Sequence, residues 1–217
     1  MPLIRYQGKV ILFVHIPKTA GTSVEDAMTQ AGAVVALRYG SRFKGFMKAT
    51  FQHLNTEIYA AVIPPDFYDY AFTVTRHPIP RLVSEYYYRI KRGDTPQPFD
   101  TWVNNAFDQH AKNPYVMDNH IRPQTDFLHA GVERFRVEDD ITSAVMIAGS
   151  HLGLDISQPA PHANQTATKT PVQWSVKTSR RAFAFYANDF DNLGYDPHEN
   201  FPEISYMRPR QWFSFRS

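Results

Sequence analysis

A solid apolar run over residues 10–14 breaks at His15 and gives way to Ile16-Pro17-Lys18-Thr19-Ala20-Gly21-Thr22-Ser23, after which the spacing becomes helical. The run is continuous rather than alternating, so residues 9–15 are predicted to form a strand buried on both faces of a sheet. A strand that turns tightly into a helix start aims unpaired backbone N–H groups and the positive end of the helix dipole at one point. Proteins hold phosphate in this way. Gly21 lets the backbone approach an anion closely, Thr22 and Ser23 add hydroxyl donors, and Lys18 adds a full positive charge. The spelling is not that of the nucleoside triphosphatases, in which G-x-x-x-x-G-K-[ST] puts lysine after the last glycine. Here the lysine precedes the glycine of the stretch.

A second stretch has the same logic. Phe72-Thr73-Val74-Thr75-Arg76-His77-Pro78 places an arginine at the end of a predicted strand over 70–75, and Arg81, Ser84 and Tyr86 follow on the predicted next helix. A guanidinium binds two phosphate oxygens in parallel, and a hydroxyl adds a further contact. Arg81, one helical turn from Ser84, is a candidate accessory. In open α/β sheets ligands sit beyond the carboxyl ends of the strands, so both stretches are expected to face one site.

These motifs, in this order, resemble the sulfotransferases that use 3′-phosphoadenosine 5′-phosphosulfate (PAPS), and in particular the branch of carbohydrate 2-O and 6-O enzymes and their bacterial relatives. The resemblance implies that Pro17, Lys18, Thr19, Ala20, Gly21, Thr22 and Ser23 form the 5′-phosphosulfate loop, with Lys18 beside the departing oxygen. It implies that Arg76 and Ser84 hold the 3′-phosphate. His53, in Phe51-Gln52-His53-Leu54-Asn55, stands where the branch carries a histidine assigned as general base, and an imidazole with an ordinary pKa near 6.5 suits that task. His15 and His77 are the competing bases. His120, Arg122 and Gln124, in the 118–126 segment, resemble residues near the acceptor. Asn164, Thr166 and Lys169 resemble a late loop folding over the cofactor, and an acidic residue is expected just after the strand that contains Phe135, where Glu138 stands one step late. The implied reaction moves a sulfuryl group to a hydroxyl of a carbohydrate or other alcohol, releases 3′,5′-adenosine bisphosphate, and calls for no metal. The alternatives are a P-loop nucleotide kinase and a non-catalytic nucleotide-binding protein of the same fold.

Composition narrows the field further. A formal charge of +2 is too small for a nucleic-acid binder, so anion specificity must come from locally placed Arg and Lys. With no cysteine, disulfides, thiolate metal sites and cysteine nucleophiles are excluded. The histidines lack H-E-x-x-H or similar ligand spacing, so no metal site is expected. The apolar runs are too short to span a bilayer, and no cleavable leader is evident, which gives the expectation of a cytoplasmic protein without a transmembrane segment.

Further helices are predicted over 23–30, from Asn55 to before Pro64-Pro65, over 99–107, from Asp139-Asp140 through His151, and over 176–186. Further strands are predicted over 33–37 and 135–137. A basic aromatic loop spans 38–48, and a tail from residue 188 ends in Arg208, Arg210 and Arg216. Strands alternating with helices predict one α/β domain over residues 1–217, a three-layer P-loop-like sandwich around a mainly parallel central sheet.

Overall fold

A computed structural model describes residues 1–38, 47–156 and 170–207 of the protein. Most of the basic loop, the segment with Asn164, Thr166 and Lys169, and the arginines of the tail lie outside the described residues.

The chain begins with a hairpin. Strand β1 (Leu3–Tyr6) turns through Gln7 and Gly8, both at positive φ (46° and 85°), into β2 (Lys9–Val14). Two left-handed residues between two strands match the twist of a two-residue hairpin. Helix α1 (Gly21–Gln30) leads to the short edge strand β3 (Val34–Ala36), and α2 (Thr56–Val62) precedes β4 (Tyr70–Thr75). Next come α3 (Pro78–Lys91), α4 (Phe99–Lys112), β5 (Glu133–Arg136) and α5 (Ile141–Leu152). The described chain closes with β6 (Val172–Trp174), α6 (Val176–Phe185), α7 (Ala187–Leu193) and β7 (Ile204–Tyr206).

The main sheet has the order β3-β1-β2-β4-β5. Strands β2, β4 and β5 run parallel, whereas β1 pairs antiparallel with both β2 and β3. The sheet is therefore mixed, which corrects the expectation of a mainly parallel one. The reason is local: the Gln7-Gly8 turn folds β1 back along β2, and β3 can then add only at the outer edge of β1. Two further differences have equally local causes. Residues after 187 continue as α7, closed by Gly194 in the left-handed conformation, and Val172–Trp174 pairs with Ile204–Tyr206 in a small second sheet.

Alternation along β2 explains its continuous apolar spelling. Ile11 and Phe13 face Val24, Ala27 and Met28 of α1 and Ile141, Ala144, Val145 and Ala148 of α5. Leu12 and Val14 face the other way, against Ile16, Leu54, Tyr59, Ile63 and Phe127. Each fully buried side chain of this size contributes roughly 1.5–3 kcal/mol of transfer free energy. A third apolar cluster joins α3, α4, α6 and α7. The carboxyl ends of β2 and β4 are thus held rigidly, and the two sequence motifs begin there.

Candidate active site

The loop after β2 is built on strained backbone. Lys18 and Ala20 both have positive φ (69° and 64°), a conformation that costs a non-glycine residue of order 1 kcal/mol and is concentrated at functional sites. Thr19 is buried and turns its hydroxyl onto the Ile16 carbonyl at 2.8 Å, so it closes the turn and leaves only its backbone to face a ligand. Ala20 sits at the N-cap of α1 with no side-chain cap, so the first N–H groups of the helix lack that partner. Gly21 is needed here, because a Cβ at that position would overlap the His15 ring. Thr22 is exposed at the mouth of the turn, while Ser23 is buried.

Arg76 follows the last residue of β4. Its backbone is clamped by the Gln124 amide, which accepts from Arg76 N at 2.9 Å and donates to Arg76 O at 2.7 Å. Its guanidinium makes no hydrogen bond to a described residue. Burial lowers its pKa, with Glu138, Glu203 and Tyr195 opposing. A half-buried, loosely compensated guanidinium at a strand end is suited to an anion. Ser84 lies two turns along α3 and is also half-buried.

Three of the expected contacts need correction. Arg81 is 1% exposed and donates to the carbonyls of Pro17, Arg122 and His120, each at 2.9 Å, so it binds the phosphate-type loop to the 120–122 segment instead of reaching for phosphate. Gln124 is fully buried as the Arg76 clamp and rests on Asp189 of α7, so it does not face an acceptor. The Arg122 side chain is held by Asn119, Asp126 and the Pro114 carbonyl.

His53, at the end of a 3-10 turn (Phe51–His53), shares a hydrogen bond between its Nδ1 and Asp118 Oδ2 at 2.7 Å. The backbone N–H and hydroxyl of Thr50 also donate to Asp118, at 2.6 and 2.8 Å. These donors outweigh burial and hold the Asp118 carboxyl at about 2. Burial pushes the His53 imidazole well below its ordinary value; Asp118 opposes this, and the neighbouring His120 and His15 add to it. A neutral ring that donates a hydrogen bond from Nδ1–H to Asp118 keeps its Nε2 lone pair for another proton. Asp118 reaches this position through three consecutive left-handed residues, Met117, Asp118 and Asn119, and Asn119 ties itself to the His53 carbonyl at 2.8 Å.

Two more imidazoles flank His53, each with its own buried carboxylate. His15 Nδ1 bonds Glu25, which also accepts from Gln52 and Arg38. Burial alone would raise the Glu25 carboxyl, but these partners hold it below its ordinary range. His120 Nδ1 bonds Glu85 at 2.7 Å. The rings meet edge to face, with centroids 5.1 Å apart for His15 and His53 and 4.9 Å for His53 and His120. Tyr88 stacks on His120, and the Lys18 ammonium lies 4.1 Å from the Tyr88 ring centre. Lys18, Tyr88, His120, His53 and His15 therefore form one contact chain, which links the loop after β2 to His53. His77 is occupied elsewhere: it caps α3 through Ile79 N and meets the Asp196 carbonyl, while Glu138 accepts from its backbone N–H. Donor atoms of His53, Asp118 and His120 lie within 4.8 Å of one another, a spacing a metal ion could use.

The sulfotransferase family model matches residues 2–196. With a match over that much of its length, the chain belongs to the sulfotransferase family. Among solved structures, the crystal structure of a sulfotransferase from Alicyclobacillus acidocaldarius is similar to it at 15% identity and a TM-score of 0.39, covering 63% of this chain and 58% of that one. This chain thus spans under two thirds of that protein's length. Curated proteins contain no match.

Proposed function

We propose that the protein transfers a sulfuryl group from PAPS to a hydroxyl of a carbohydrate or other alcohol, releasing 3′,5′-adenosine bisphosphate. The uncapped start of α1, with residues 17–23 before and within it, would hold the 5′-phosphosulfate, and Arg76 with Ser84 the 3′-phosphate. Lys18 would neutralise charge on the departing phosphate oxygen. His53 would take the acceptor proton on Nε2, with Asp118 fixing its tautomer as the partner carboxylate does in other histidine-based sites. His120 would line the acceptor side. Arg81 would act at one remove, holding the loop that carries Lys18.

The contact chain from Lys18 to His53 is the observation that carries this reading, because in-line displacement needs the leaving-group charge and the base on opposite sides of one sulfur. A kinase would instead need the Walker lysine, which the loop lacks. The test separates binding from chemistry. Arg76→Ala should weaken calorimetric affinity for adenosine bisphosphate by about 2 kcal/mol or more. Lys18→Ala and His53→Ala should bind the nucleotide with smaller change yet lose PAPS turnover, His53→Ala by roughly 10²- to 10⁴-fold. Unchanged affinity in Arg76→Ala would remove the 3′-phosphate assignment.

A further inference from the structure

Of the three imidazole–carboxylate pairs, only His53–Asp118 moves a proton in the transfer as proposed above. His15 is sealed beneath Gly21 with its ring against the loop backbone. His120 is different, because of where its free edge falls. Its Nδ1 is held by Glu85 Oε2, and the other Glu85 oxygen takes Nε of Arg89 at 2.5 Å. Glu85 is fully buried; burial raises its carboxyl pKa, yet His120 and Arg89 outweigh burial and hold it below its ordinary range. The ring is wedged between Tyr88, at 5.4 Å and nearly parallel, and His53, at 4.9 Å and nearly perpendicular. With Nδ1 engaged, Nε2 is the one polar ring atom left, in a ring that touches the base on one side and the Lys18-bearing tyrosine on the other.

The transferring sulfur carries three oxygens that neither flanking group serves: Lys18 is placed for the departing phosphate oxygen, and His53 for the acceptor proton. We propose that His120 is a second catalytic residue, held in place by Glu85, whose Nε2–H donates a hydrogen bond to those sulfuryl oxygens as they flatten into the transition state. In that step the acceptor oxygen bonds to sulfur and the sulfur–oxygen bond to the phosphate breaks. The electron pair stays on the phosphate beside Lys18, and the acceptor proton goes to His53 Nε2. His120 gains and loses no proton. A positioned donor of this kind commonly contributes on the order of 10²- to 10³-fold to rate.

This inference rests on the PAPS assignment, and one comparison keeps the two apart. The full chain, uniformly labelled with ¹⁵N, is titrated with PAPS and, separately, with adenosine 3′,5′-bisphosphate, which lacks the sulfuryl group. Both nucleotides should shift the backbone amides of residues 18–23, while the His120 Nε2 resonance should move with PAPS alone. Identical His120 signals in the two complexes would overturn the role of His120 and leave the cofactor assignment standing. No shift of the loop amides with either nucleotide would remove both. His120→Asn adds an independent arm: its affinity for the bisphosphate should stay within about twofold, with PAPS consumption falling by about 10²-fold or more. Parent-level consumption by that variant would also overturn the proposal.

Discussion

At His53 a single hydrogen bond decides whether an imidazole is a base or filler. Asp118 accepts a hydrogen bond from Nδ1–H and so leaves the Nε2 lone pair bare, and Asp118→Asn would allow the wrong tautomer without removing the ring. Turnover of that variant should fall on the order of 10- to 10³-fold with nucleotide affinity nearly unchanged, as read by stopped-flow consumption of PAPS beside calorimetry. Because the His53 pKa is lowered, the neutral ring persists below pH 6.5. The acid limb of kcat/KM should therefore lie lower than a free imidazole would place it; a limb at or above 6.5 would contradict this. The motifs singled out Lys18, Arg76 and His53 as candidates. Their partners were not legible, because Asp118 lies 65 positions from His53 and Glu85 lies 35 from His120, and no local periodicity joins such pairs.

Between residues and molecule stand the elements that hold the loop. Arg81 points inward from α3 and bridges three carbonyls from two segments, so its removal leaves three buried acceptors without a partner. Arg81→Met should cost about 3–5 kcal/mol in urea unfolding, well beyond the effect of a surface arginine. Helical spacing correctly put Arg81 one turn from Ser84, but spacing cannot tell a phosphate ligand from a backbone tie. The same holds for Gln124, whose polar neighbourhood suggested an acceptor contact and whose amide instead clamps Arg76. Strand β4 and the start of α3 were legible because an aromatic, β-branched run meets Pro78 and Pro80 there. The β1–β2 hairpin was missed because Gln7-Gly8 is a weaker turn spelling than Asn-Gly or Asp-Gly, and with it went the antiparallel edge of the sheet.

For the whole molecule, burial lowers the pKa of His53, His77 and His110 together. Each is then more readily protonated in the unfolded chain, so stability is full above about pH 6.5 and falls as pH drops below it, by up to about 1.4 kcal/mol per pH unit for each histidine. Asp118, depressed to about 2, adds a further loss between about pH 4 and 2 as its carboxylate is protonated. Melting temperature should decline steadily from pH 7 to pH 5; a flat or rising curve would contradict the burial of these rings. Among the described residues no helix is long and apolar enough to cross a membrane.

The central claim is that the ends of β2 and β4 together bind a nucleotide carrying a 3′-phosphate, and differential melting with two nucleotides tests it most directly. At near a hundredfold excess over Kd, adenosine 3′,5′-bisphosphate should stabilise the fold by roughly 2.7 kcal/mol, or about 5–10 °C for a chain of this size, with ATP and Mg²⁺ giving little shift. Equal shifts with both nucleotides, or a shift with ATP and Mg²⁺ alone, would contradict it.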